Sequence, residues 1–557
     1  MSDTGLADPS QPRRPQSGFL SKERIVAPAG FNRWLVPPAA LAIHLCIGMA
    51  YGYSVFWLPL SKAIGIDHSV NCGPKAGFLQ QLSVTNCDWK ISTLGWMYTL
   101  FFVVLGAAAA FWGGWLERSG PRKAGVVAAV CWCGGMLVSA LGVHVHQFWL
   151  MLLGSGVIGG VGLGLGYISP VSTLIKWFPD KRGMATGMAI MGFGGGAMIG
   201  SPLAAELMKA FATPSSVGVA ETFVVMALGY FVFMMGGALA YRLPAPGWRP
   251  AGWTAAPAQS DNTMITQGNV HVSRVWGIPQ FWLVWLVLCM NVSAGIGVIG
   301  MASPMLQEVF GGSLIGVPVR FGDLDKAQLS AIATVAAGFT ALLSLFNIAG
   351  RIFWGSLSDL IGRKATYSVI FLLGGVLYAS IAGAAEAGDR FLFVAAVCII
   401  VSMYGGGFGT VPAYLADLFG TQMVGAIHGR LLTAWATAGI LGPVVVNYMR
   451  DYQLSLGIAR EQVYDKTMYI LVALLAVGLI SNLLIRPVAS KYFMTPAELA
   501  AEQRLAREHA AEEAQGLRAG AFHKTNPLLL IGAWAAVAVP LGWGVYRTLL
   551  SVAHFLQ

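Results

Sequence analysis

The sequence is poor in charge: Asp, Glu, Lys and Arg make up only 11% of its 557 residues, against about a quarter in an ordinary soluble domain. With 56% apolar residues as well, it cannot cover a water-soluble globule and reads as a polytopic membrane protein. Whole chemistries are also missing. There is no glycine-rich phosphate loop followed by Lys-Ser or Lys-Thr, no HExxH and no GxSxG, which argues against a nucleotide-driven pump and against an enzyme. Cys131 and Cys133 are too close for a metal or redox spacing, so neither metal nor cofactor is expected. The segment before Asn32 is polar, rich in Pro and Ser, and lacks an apolar h-region, so it reads as a cytoplasmic tail rather than a cleaved signal peptide.

What is present is a series of apolar stretches near the ~20 residues a helix needs to cross a bilayer. They run at 35–60, 92–115, 124–143, 148–176, 184–208, 220–242, 277–303, 328–353, 366–385, 391–416, 424–448 and 467–486, with a thirteenth at 527–549. The net charge of +10 does not indicate nucleic acid, because the basic residues cluster at the ends of spans. The 2/3, 4/5, 6/7, 8/9 and 10/11 connections and both chain ends share one side. That side holds most of the Lys and Arg, in stretches such as ERSGPRK, KWFPDKR, SDLIGRK and RPVASKYF, and is therefore assigned to the cytoplasm. The expected location is the inner (cytoplasmic) membrane, with lipid as the surrounding partner.

Two echoes divide the chain. GGWLERSGPRK (113–123) matches GSLSDLIGRK (355–364), and YISPVSTLIKWFPDKRGMATG (167–187) matches FGTVPAYLADLFGTQMVGAIHG (408–429) at nearly the same offset. The expected organisation is a tail (1–31), a six-helix half (32–242), a linker (243–276), a second six-helix half (277–486), a cytoplasmic segment with an amphipathic helix capped by Thr495 and Glu498 (487–526), and an accessory span (527–557). Glycine runs at 154–166, 192–200 and 404–409 let helices approach and slide.

Arg351, at the end of the apolar run 331–346, stands out. A guanidinium stays ionised, and a charge at membrane depth costs at least ~2.5–3.5 kcal/mol on insertion scales. Three explanations are open: a snorkelling anchor, a permanent carboxylate partner, with Glu206 and Asp417 the nearest acids, or an anion that comes and goes. Arg363 and Lys364 already fill the anchor role.

The paired GxLxDxxGRK-like loops, the six-plus-six layout and the linker resemble the major facilitator superfamily. That resemblance implies an all-α membrane fold with two six-helix halves. It also implies charge networks at the cytoplasmic loops, here Glu117, Arg118, Arg122 and Lys123 with Asp359, Arg363 and Lys364. More narrowly, YGYSVFWLPL, GLGLGYISPVSTLIKWFPDKRGMATG and NIAGRIFWGSLSDLIGRK resemble the oxalate/formate antiporter family. Its members exchange or take up small carboxylates and hold them on an arginine of the eighth span, the place of Arg351. Asn347, one turn earlier on the same face, makes N-x-x-x-R, similar to the D-x-x-x-R of proton-linked monocarboxylate transporters. Two residues depart from these patterns. Trp435 stands where the oxalate carrier has a lysine, which favours a monocarboxylate unless His44 or His428 supplies a second cation. Asn347 cannot titrate, so a coupled proton would need another carrier or ride on the substrate acid.

Tyr51, Tyr167, Tyr404, Phe408 and Trp435 are the aromatic candidates for the cavity wall, since Tyr and Trp combine apolar bulk with a polar handle. Tyr51 and Tyr53 cannot share a face, so at most one of them is expected to line it. The leading expectation is a monomeric secondary carrier of small carboxylate anions, with proton symport as the alternative. The competing reading is a membrane sensor whose Arg351 is paired permanently with an acid. Cys72 and Cys87, in the long non-cytoplasmic 61–90 connection, are either a disulfide or two reduced thiols.

Overall fold

The computed structural model describes residues 20, 25–73, 77–178, 182–245, 248–250, 264–266, 268–420, 422–502, 504 and 525–556. The long helices are α1 (Arg33–Leu60), α2 (Ile91–Ser119), α3 (Pro121–His144), α4 (148–177), α5 (Arg182–Phe211) and α6 (Val219–Ala240). The second set is α7 (Pro279–Phe310), α8 (Lys326–Ile361), α9 (Arg363–Glu386), α10 (Arg390–Phe419), α11 (Val424–Ser455) and α12 (Asp465–Leu484). A last helix, α13, spans Pro527–Leu556. Twelve helices are long and apolar enough to cross a membrane among the described residues. α5, with 30 residues, has the length to cross as well.

Local chemistry sets the helix ends. Asp325 and Gln328 form a reciprocal capping box at the start of α8, with bonds of 2.8 and 3.0 Å, satisfying backbone donors that the first turn leaves open. The two GxLxDxxGRK-like repeats fold alike: α2 ends at Gly120 (φ 85°, ψ 157°) and α8 at Gly362 (φ 87°, ψ 153°), a backbone conformation open to glycine at little steric cost. The residue two positions after each glycine, basic in both copies, then serves the last helix of its own half. Arg122 donates to the Tyr241 carbonyl beyond α6, and Lys364 Nζ donates to Leu483 and Ile485 carbonyls at the end of α12, at 2.7 and 2.8 Å. Cations there offset the negative end of the helix dipole.

The halves meet along two seams, α5 against α8 and α2 against α11. Tail and linker tie together at one end of the bundle, where Ala27 N and Leu243 N exchange bonds of 2.8 Å with Leu243 O and Ile25 O. Cys72 and Cys87 are joined by a disulfide at the opposite end. The linker is partly docked: Thr266 N donates to Asp417 O and Gln422 N to Asn269 Oδ1. Thr495 and Glu498 form the capping box expected of the C-terminal segment, and Glu498 pairs with Arg274 of the linker.

Two expectations need correction. α13 starts at the linker end, where Trp534 Nε1 donates to Trp34 O at 3.0 Å. It finishes at the disulfide end, where Arg547 pairs with Glu206, so the two chain ends do not share a side. α7 and α11 also run on to Phe310 and Ser455, past the apolar limits at 303 and 448. The extension contains Glu308 (0% exposed), missing from the short list of membrane acids. Arg450 reaches both its oxygens, and Arg460 and Tyr464 add bonds of 2.7 and 2.6 Å.

Candidate functional site

Arg351 lies within α8, in its second half, and is only 6% exposed. Its Nε donates to Asn347 Oδ1 at 2.9 Å, the i, i+4 geometry of one helix face, and its Cζ lies 5.5 Å from the Phe408 ring centroid on α10. The hydroxyls of Tyr51 and Tyr167 are its electrostatic neighbours. The acids proposed as permanent partners are engaged elsewhere: Asp417 accepts from Arg363 at 3.3 Å and Glu206 from Arg547. Among the described residues no carboxylate pairs with Arg351.

The walls are aromatic. Trp435 of α11 packs against Phe408 at 4.7 Å, Tyr167 at 5.1 Å, Phe102 at 5.6 Å and Phe193 at 5.7 Å. Tyr51 of α1 bonds Tyr404 of α10 through their hydroxyls at 2.7 Å, closing the cage between the two halves. Tyr53 turns away, to Ser155 in the first half at 3.2 Å. Tyr51 lies in a 3-10 stretch, Gly48–Phe56; irregular backbone at membrane depth is tolerated where it is buried in protein or lines a cavity.

Glycine makes this closeness possible. A Cβ on Gly194 of α5 would lie 3.0 Å from Asn347 Oδ1 and 3.3 Å from Arg351 Nε. One on Gly405 of α10 would come within 2.4 Å of the Asn347 carbonyl.

Four buried donors of this cage have no hydrogen-bond partner among the described residues: Arg351 Nη1, Asn347 Nδ2, Tyr167 Oη and Trp435 Nε1. Each buried, unsatisfied polar group costs about 1–3 kcal/mol. A cluster of donors with no acceptor has the chemistry of an anion site. The cavity lined by Tyr51, Thr340, Ser344 and Asn347 measures about 10 Å³, the volume of a single water. The cage is therefore closed, with room for nothing larger than a water.

The other residues singled out lie elsewhere. His44 shares Tyr167 with the cage, through the Tyr167 carbonyl at 3.1 Å and a ring contact at 5.5 Å. His428 is in α11, two turns before Trp435. Asp359 pairs with Arg363 at 2.5 Å, in a network with Asp417 at the linker end, and Lys123 lies 5.8 Å from the Trp115 ring. The side chains of Glu117 and Arg118 fall outside the described set, as do Pro179, Asp180 and Lys181 of the WFPDKRG stretch. Phe102, Phe193 and Gly194 belong to the cage but were not singled out in the sequence. The run GFGGG at 192–196 was the only signal for the last two.

Comparison with known proteins agrees with this architecture. The Major Facilitator Superfamily pattern matches residues 40–443. The oxalate:formate antiporter of Oxalobacter formigenes is 24% identical over 413 residues, covering 74% of this chain and 83% of that protein. Apicoplast pyruvate carrier 1 of Toxoplasma gondii is 26% identical over 341 residues, 53% of this chain and 59% of its own length. A crystal structure of a D-xylose-proton symporter superposes with a TM-score of 0.57 at 13% identity, over 83% of this chain and 98% of that one; it shows the fold alone. With a match over most of its length, two six-helix halves and a closed cage between them, this chain is a multi-pass membrane transporter belonging to the major facilitator superfamily.

Proposed function

We propose that the protein is a secondary carrier of small carboxylate anions, binding one carboxylate on Arg351 and exposing it to either side as the halves rock. The observation that carries this reading is a buried guanidinium with no acid partner among the described residues, ringed by donors that lack acceptors. Exchange follows from the electrostatics, since reorienting with the cation unneutralised in a dry cage is the costly step. The similarity to carriers named for oxalate, formate and pyruvate supports the substrate class.

Monocarboxylates are favoured over oxalate. Where the oxalate carrier has a lysine, this chain has Trp435, and the second carboxylate of a dianion would meet the rings of Trp435, Phe408 and Phe193. Aromatic faces are negative, and a desolvated carboxylate without a cation costs several kcal/mol. The orientation is N-terminus in, supported by the basic residues at the linker end and the disulfide at the other.

The test is counterflow in proteoliposomes with labelled formate, acetate, lactate, pyruvate and oxalate, with and without a pH gradient. The expected result is trans-stimulated uptake of a monocarboxylate that persists without the gradient. Uptake that requires an inward proton gradient and no internal anion would replace exchange by symport. Failure to move any of the anions would end the carboxylate reading.

A further inference from the structure

At the disulfide end of the α5/α8 seam lies a groove of about 190 Å³ that draws its walls from both halves. Lys62, just after α1, and Lys209, in the last turn of α5, come from the first half; Lys326, at the start of α8, comes from the second. Among the described residues Asp67 is the one acid lining the groove, and it is already engaged by Lys326 at 3.2 Å. Among the described residues Lys62 Nζ donates only to the Asp67 carbonyl, at 3.5 Å. Three lysines thus line a groove that holds one acid. Burial, and after it the nearby Arg460, pull the Lys62 pKa down, with Asp67 opposing them.

The groove and the cage lie along one face of α8. Ser330 and Thr334 of α8 form part of its wall. Continuing at helical spacing along the same face come Ala337, Thr340, Ser344, Asn347 and Arg351. Thr340, Ser344 and Asn347 line the small cavity at the cage itself. The first span runs in parallel, since Val55 lines the groove and Tyr51, one turn earlier, lines the cage.

We propose that this groove is an outer binding site for the carboxylate anion, where Lys62, Lys209 and Lys326 collect it from solution before it passes along the polar face of α8 to Arg351. The site rests on the carboxylate reading of Arg351 and adds a sidedness to it. A cleft lined by one sign of charge raises local anion concentration and on-rate by roughly 10- to 1000-fold, and the gain is lost with salt. The volume, below the ~300 Å³ at which drug-sized pockets begin, suits a small anion.

The experiment measures KM for labelled formate, pyruvate and oxalate from the outer face in intact cells and from the inner face in inverted vesicles. It compares wild type with the triple variant Lys62→Gln, Lys209→Gln, Lys326→Gln, at low and high ionic strength. The expected result is a rise of roughly tenfold in the ratio of outer to inner KM, with a weaker salt dependence of outer kcat/KM. An unchanged ratio overturns the outer site while leaving Arg351 untouched. If the triple variant does not reach the membrane, Lys209→Glu at an exposed last-turn position decides by the same ratio: a rise supports the site and no change overturns it. Wild type that transports none of the probes overturns the carboxylate reading, and the outer site with it.

Discussion

Lysine at position 351 keeps the charge and removes the fork. In the structure Nε is held by Asn347 Oδ1 at 2.9 Å and the guanidinium lies against Phe408 at 5.5 Å, so its plane is set before any anion arrives. Nη1 has no partner among the described residues. A carboxylate meeting the fork gains paired charge-assisted bonds; a lysine ammonium, shorter and without the plane, loses at least one of them. Such a bond contributes about 1.5–3 kcal/mol, which at ~1.4 kcal/mol per factor of ten predicts that Arg351→Lys lowers kcat/KM roughly 10- to 150-fold. Arg351→Gln removes the charge itself and should abolish counterflow. The same glutamine variant should melt no lower than wild type in detergent, because it no longer buries a cation without an acid partner. The assay is counterflow at several substrate concentrations, with thermal unfolding measured on the same preparations. A lysine variant within about threefold of wild type, saturable uptake by the glutamine variant, or a large loss of its thermal stability would refute the reasoning; the last would mark Arg351 as a structural charge.

Trp435→Lys should move the preference toward oxalate by supplying a second cation, read as the ratio of oxalate to formate kcat/KM; a ratio that stays put or falls removes Trp435 from the specificity argument. Glu308→Gln should destabilise the fold by about 3–5 kcal/mol, because it leaves Arg450 buried with its main counter-charge gone; unfolding at the wild-type temperature would contradict the buried network. His146, stacked 3.8 Å from the Trp89 ring and bonded to the Cys87 carbonyl at 2.9 Å, is held by burial below its ordinary pKa of about 6.5. The opened loop binds a proton that the folded one does not, so stability contributed here is present above about pH 6.5 and declines as pH falls toward the lower folded value. Hydrogen exchange in residues 61–90 should therefore be less protected at pH 5 than at pH 7.5, allowing for the intrinsic rate, and His146→Asn should flatten the difference; equal protection in wild type would count against it.

Much of the site was legible because it is local. Asn347 and Arg351, and Tyr404 and Phe408, are i, i+4 pairs whose shared face follows from helix geometry alone. The repeat announced Gly120 and Gly362, and their matched dihedrals come from a positive φ that only glycine adopts cheaply. Other features were hidden by distance along the chain. Glu308 and Arg450 each lie beyond an apolar run, and hydropathy ends the spans before them; mutual neutralisation lets the helices carry both charges on into the buried interior. Arg122 and Lys364, expected only in the cytoplasmic loop networks, also serve helix ends that no local pattern identifies.

By itself the sequence determined that the chain spans a membrane in two related halves and carries one arginine too expensive to be idle. Periodicity, charge placement and repetition are short-range or compositional properties, and so can be read without coordinates. Only the tertiary structure decided which groups surround that arginine. Phe193 and Gly194 of α5, Tyr51 of α1, Tyr404 of α10 and Trp435 of α11 meet there because close helix packing, permitted by glycine, brings together residues from both halves. It also decided that Asp417 and Glu206 belong to Arg363 and Arg547, leaving Arg351 with donors around it and no acid among the described residues.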